Sequence, residues 1–157
     1  MKLLSVERHE WSALGWAFGY FFLLLAAYYV LRPVRDALAV QAGAGQLQWL
    51  FTATFLAMLA LVPAYGWLCA RFPRSMFLPL VYVFFILNLV FFKFFVETNP
   101  RLAAPAFFVW LSVFNLFAVS VFWSLMADLF DAAQALRLFG AIAAGGSCGA
   151  IAGPALT

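Results

Sequence analysis

Charged residues are confined to a few short clusters along the chain, and long apolar runs lie between them. Trp11 to Leu31 carries no charge, and neither does Ala37 to Ala70, whose part from Leu47 onward is dense in Leu, Phe and Ala. Met76 to Phe92, Leu102 to Ala127 and Leu138 to Thr157 repeat the pattern. A bilayer's hydrocarbon core is roughly 30 Å thick and takes about 20 helical residues to cross. The pattern therefore predicts five spans, over about 11–35, 47–70, 76–96, 102–127 and 138–157. Backbone groups in lipid must be satisfied internally, and the alternation expected of barrel strands is missing from these runs, so the spans should be helices. The expected fold is all-α, a polytopic transmembrane helix bundle.

Composition strengthens that expectation. With 68% hydrophobic and 10% charged residues and a mean hydropathy of +1.02, a soluble protein of this length would carry more apolar surface than one core could hide. The lipid bilayer is thus the expected partner and solvent. The first run is too long, and its flank too weakly basic, for a removable signal peptide. Cys69 and Cys148 have no repeated spacing and no nearby His cluster, so they read as small packing residues and not as a disulfide or zinc framework. The fifth run reaches Thr157 without a polar tail, and the expectation is a chain truncated within that span.

The connectors are short: Arg32 to Gln46, Arg71 to Ser75, Lys93 to Arg101 and Asp128 to Arg137. None could hold a folded domain. Gly43, Gly45 and Asn99-Pro100 mark turns. Trp11, Trp16, Trp49 and Trp110 lie near span starts, where amphipathic rings favour the headgroup region. With a cytoplasmic N-terminus, Lys2, Arg8, Arg71, Arg74 and Arg137 fall inside, against Arg32, Arg35, Lys93 and Arg101 outside. Every basic residue flanks a span, so the net charge of +3 gives no footprint for nucleic acid.

Three motifs carry a resemblance. Gly140, Gly149 and Gly153-Pro154 lie on the fifth span, and Gly145, Gly149 and Gly153 recur every fourth residue along one stripe that lets another helix approach closely. Gly66 to Arg74 places Gly66, Arg71 and Arg74 in the connector after the second span. Asp128 ends the fourth span, and Arg137 opens the fifth as a possible charge-assisted partner. In order and spacing these segments resemble the fifth-helix glycine signature, the cytoplasmic loop motif and the fourth-to-fifth-helix joint of the major facilitator superfamily. Ala70 and Pro73 stand where that loop usually has Asp and Gly.

The most informative charges are Arg32, Arg35 and Asp36, at the far end of the first span. Arg32 is about 21 residues past Trp11, or roughly 31 Å along a helix. Two readings stay open. Both arginines snorkel to the outer headgroups, with Arg32 paired to Asp36 one turn on; or the helix continues to about Val40, and the two guanidinia form an anion clamp in a cavity. The segment Tyr29 to Val40 is similar to the first helix of the ATP/ADP translocases of plastids and intracellular bacteria, with Arg35 where that family has Lys. The resemblance implies five helices of the first bundle of a secondary transporter in a bacterial inner membrane, completed by a C-terminal half. It also implies a small anionic solute, such as a nucleotide or other organic phosphate, as the exchanged partner. Asn88 and Asn115, deep in the third and fourth spans, are candidates for helix-to-helix hydrogen bonds or substrate contact. No cofactor is expected, and no converging nucleophile, base or metal ligands suggest an enzyme. The competing expectations are a proton-coupled drug or metabolite carrier and a non-transporting membrane scaffold.

Topology gives the first test. In a background lacking Cys69 and Cys148, a single cysteine at Ser75 should react with impermeant reagent only from the cytoplasmic side and one at Thr98 only from outside; the opposite pattern reverses the orientation.

Overall fold

The computed structural model describes residues 6–41, 43–72 and 74–157, with the side chains at 41, 44 and 74–76 left aside. Among them every long element is an α-helix: α1 (Trp11–Gln41), α2 (Leu47–Arg71), α3 (Arg74–Thr98), α4 (Pro100–Leu129) and α5 (Ala132–Ala155), with one 3₁₀ turn at Ala44–Gln46. All five are long and apolar enough to cross a membrane. Each contains a proline: Pro33, Pro63, Pro79, Pro105 and Pro154. Spanning helices tolerate such breaks where neighbours satisfy the freed backbone groups.

Two boundaries differ from the sequence-based expectation. First, α1 runs through Pro33 to Gln41, past the 11–35 span and the connector beginning at Arg32, and in line with the reading that continues the helix to about Val40. The turn that follows is set by Gly43, whose φ of 112° suits glycine. Second, α5 begins at Ala132, because Asp131 and Gln134 close a capping box in which each side chain accepts the other's backbone N–H.

The chain divides into two compact units, one of residues 1–33 and 118–157, the other of residues 34–117. In the first, α5 packs on α1 through glycine. A Cβ at Gly145 would stand 2.6 Å from the Phe18 carbonyl oxygen, one at Gly153 would stand 2.8 Å from that of Ala26, and one at Gly149 would collide with that of Phe22. Each of these pairs is 127 positions apart, the separation of Glu10 and Arg137, which form an ion pair at 2.9 Å. A constant separation means that α5 runs parallel to α1 in one fixed register, marked every fourth residue by a glycine against a carbonyl. Gly146, beside the stripe, leaves room for the rings and methyls of Phe21 and Leu25. Phe21 in turn stacks on Phe122 of α4 at 4.3 Å, and Trp123 meets both Phe21 and Phe139. Phe122, Leu138 and Ile142 are fully buried at the centre of this unit.

The helix starts are tied by charge. Glu10, 3% exposed, accepts from the Glu7 backbone N–H, Gln134 Nε2 and Arg137 Nη2. The Glu7 N–H, then the Gln134 amide and Arg137 charge, hold its carboxyl below the ordinary 4.5 against the opposing effect of burial. Gln134 therefore does two jobs, closing the α5 cap with Oε1 and reaching Glu10 with Nε2.

Gly149→Leu should abolish the α1–α5 fit: a marked drop in melting temperature and folded yield in detergent is expected, since overpacking commonly costs about 1–3 kcal/mol and backbone cannot yield as a side chain can. Gly140→Leu should be tolerated, because nothing lies within 4 Å of a Cβ there. Equal stability of both variants removes the packing claim. The lowered Glu10 carboxyl also fixes a sign: charged Glu10 contributes stability above the ordinary carboxylate range, and that contribution is lost as pH falls through the depressed folded value. Melting temperature should thus decline on acidification below about pH 4.5, and Glu10→Gln should be less stable at neutral pH with a flatter acid limb.

Candidate functional site

The second unit contains a charged side chain drawn into a helix packing surface. Because α1 continues past Pro33, Arg35 sits within a helix and not in a surface loop. One turn on, Ala39 packs against Leu50 of α2 and Phe108 of α4, with Leu47 alongside. Phe51 meets the Phe108 ring edge-on at 5.4 Å. That ring is thereby fixed, and it forms a floor: the Arg35 guanidinium carbon lies 4.6 Å from its centroid, within cation–π range.

Hydrogen bonds set the orientation. Arg35 Nη1 donates to Ser112 Oγ at 3.2 Å, while the Ser112 hydroxyl donates to the Phe108 carbonyl at 2.9 Å. Spending its own proton on the backbone leaves the serine oxygen free to accept from the guanidinium. The Nε–Nη2 edge donates to a single oxygen, Asp36 Oδ1, at 2.9 and 2.7 Å. The Arg35 side chain is 12% exposed and that of Asp36 50%. A guanidinium in that position needs partners, since an uncompensated charge away from water is strongly destabilising. Three of its N–H groups have them, and the edge suited to a carboxylate or phosphate is the one facing the half-exposed partner.

The same unit holds an apolar cavity of about 670 Å³ among α2, α3 and α4, with Ala57, Leu61 and Tyr65 on one wall, Phe77 and Phe85 on another and Phe117 on a third. Among the described residues, no charged side chain lines it. Trp110, which also lines it, stacks with Phe107 and Phe114, and its buried indole N–H has no acceptor among the described residues.

Of the residues singled out from sequence, Arg35 and Asp36 are therefore brought together. Asn115 lies three residues beyond Ser112 on α4, half-buried. Asn88 is half-buried on α3, and its amide donates to the Phe84 carbonyl of its own helix at 2.8 Å. Arg32 is exposed, with its guanidinium 5.5 Å from the Tyr29 ring centroid in the first unit. In the loop motif, Gly66 has open space around it, and Arg71 is exposed over the Trp67 ring. Pro73 and the side chain of Arg74 lie outside the described residues, as does Lys2. Asp128 is exposed and Arg137 is engaged with Glu10. Gly145, Gly149 and Gly153 form the tight face, Gly140 faces open space, and Pro154 is exposed in the last turn of α5.

The roles of Phe108 and Glu10 were not visible in the sequence. Phe108 is one phenylalanine among twenty, and only the fold selects it as a floor. Glu10 reads as one charge in a solvated N-terminal cluster until Arg137 is brought beside it. No protein-family model, curated protein or solved structure matches this chain.

Proposed function

We propose that this chain is the first helical bundle of a major-facilitator-type secondary transporter in a bacterial inner membrane, with the N-terminus cytoplasmic and the solute path completed by a second bundle. The solute is an organic anion, a nucleotide or other organic phosphate, taken up in exchange for a counter-solute. The observation that carries this proposal is the Arg35 guanidinium, stacked on Phe108 and presenting its Nε–Nη2 edge to a carboxylate oxygen. Charged residues in spanning helices are expensive and mark solute or ion paths when they are held in this way. Five apolar helices, one of which carries the largely buried Arg35, fit a carrier for anions better than a scaffold, which has no use for that charge. Half-buried Asn88 and Asn115 supply neutral polar groups for the non-ionic part of such a solute.

The apolar cavity favours a second reading, a carrier of hydrophobic drugs or metabolites coupled to protons. Its aromatic walls suit an uncharged planar solute, and with no charge among its described lining residues the proton would move elsewhere.

Uptake of labelled nucleotides by liposomes holding the complete transporter separates the two. Arg35→Ala should reduce nucleotide exchange about tenfold or more, since a charge-assisted hydrogen bond contributes about 1.5–3 kcal/mol and each 1.4 kcal/mol is a factor of ten. Arg35→Lys should retain part of the activity, because the charge survives and the planar fork does not. Normal exchange by a correctly inserted Arg35→Ala protein would leave Arg35 as an anchor and favour the apolar cavity as the solute site.

A further inference from the structure

We infer that Asp36 is an internal stand-in for the transported anion, occupying the Nε–Nη2 edge of Arg35 and yielding it when solute binds. This rests on the anion-transport proposal and adds a competitor to it. The geometry of the pair is the starting point. Both donors of the edge converge on one oxygen, Asp36 Oδ1, at 2.9 and 2.7 Å. A carboxylate matched to the fork would place one oxygen on each donor; a side chain from the adjacent residue does not do so here. The edge is thus filled by a partner that leaves its two-pronged capacity unused.

The other two contacts are of a different kind. Ser112 and Phe108 both come from α4, and neither brings a charge. The Ser112 proton is committed to the Phe108 carbonyl, and the Phe108 ring is held by Phe51, Ala39 and Leu50. These contacts fix where the guanidinium lies whatever occupies its Nε–Nη2 edge. Asp36, by contrast, is half exposed, so of the three contacts of Arg35 it is the one that an incoming anion can reach and displace. A phosphate with two oxygens on the Nε–Nη2 edge would replace one acceptor oxygen with two and carry more charge than a carboxylate. Asp36 then serves two ends: it neutralises Arg35 between solutes, and it sets a threshold that a singly charged, weakly chelating anion does not pass.

The test is ATP binding to the complete transporter in detergent, by calorimetry, in four forms: unaltered, Asp36→Asn, Arg35→Ala and the double variant. Removing the competitor should tighten ATP binding by about tenfold, and the gain should vanish when Arg35 is alanine, because the two residues act through one contact. Acetate, which cannot offer phosphate charge, should gain measurable competition with ATP only in Asp36→Asn. Unchanged or weaker ATP binding in Asp36→Asn, together with loss of binding in Arg35→Ala, overturns the competitor and leaves the anion site standing. ATP binding at the unaltered level in both single variants overturns both. Should Asp36→Asn fail to insert, Asp36→Ser serves as the same arm. If no uncharged residue at 36 yields folded protein, Asp36 is a structural counter-charge and the inference falls.

Discussion

Contact between two helix backbones is the constraint on which the first unit depends. Where α5 crosses α1, carbonyl oxygens of Phe18, Phe22 and Ala26 occupy the space that side chains would take at Gly145, Gly149 and Gly153. Lipid offers no hydrophobic drive to bring helices together, so close van der Waals approach and polar contacts must supply the association. Here the glycine stripe supplies the first, and the Glu10–Arg137–Gln134 network supplies the second at one end. Because the glycine contacts and the Glu10–Arg137 pair obey the same 127-residue separation, they act together on a single register. The aromatic stack of Phe21 on Phe122 then adds α4 to a pair already aligned.

The second unit is organised around a different problem, a cation with little access to water. Its solution uses a ring face, a serine oxygen with its proton turned elsewhere and a neighbouring carboxylate. The helix that carries Arg35 passes through Pro33 without ending. Had α1 stopped at the proline, Arg35 and Asp36 would lie in a loop, and neither Ala39 nor Arg35 would have been delivered to Phe108.

Much of the helical layout was legible in the chain. Uncharged runs of membrane length announced five helices, since lipid leaves few other ways to satisfy a backbone. The four-residue spacing of Gly145, Gly149 and Gly153 announced a contact face, though not its partner: small residues on one helix do not say which carbonyls will meet them. Helix ends were less visible. The first helix could be read as ending near Arg35 or near Val40, and the sequence alone left both open; the Asp131–Gln134 capping box, readable as Asp followed three positions later by Gln, was hidden by the more prominent Arg137. At the candidate site, Arg35 and Asp36 stood out in the sequence, because ionisable residues are rare in these runs, but their pairing with each other did not: the sequence offered Asp36 to Arg32. The ring and hydroxyl that hold Arg35 did not stand out either, because they come from a helix more than seventy residues away whose abundant phenylalanines carry no individual mark.

The atoms that crowd the glycine stripe have a genetic implication. What faces Gly145 and Gly149 most closely is a peptide oxygen, common to every amino acid, and not the tip of a side chain that could be shortened. A bulky lesion at Gly149 therefore has no allele-specific suppressor among residue changes at Phe22. Revertants should be restricted to the same codon or to distant changes that let the helices separate as a pair. In a population of homologous genes, such a position would look invariant without covarying with anything, and methods that infer contacts from paired substitutions would be blind to the tightest contact in this half of the molecule.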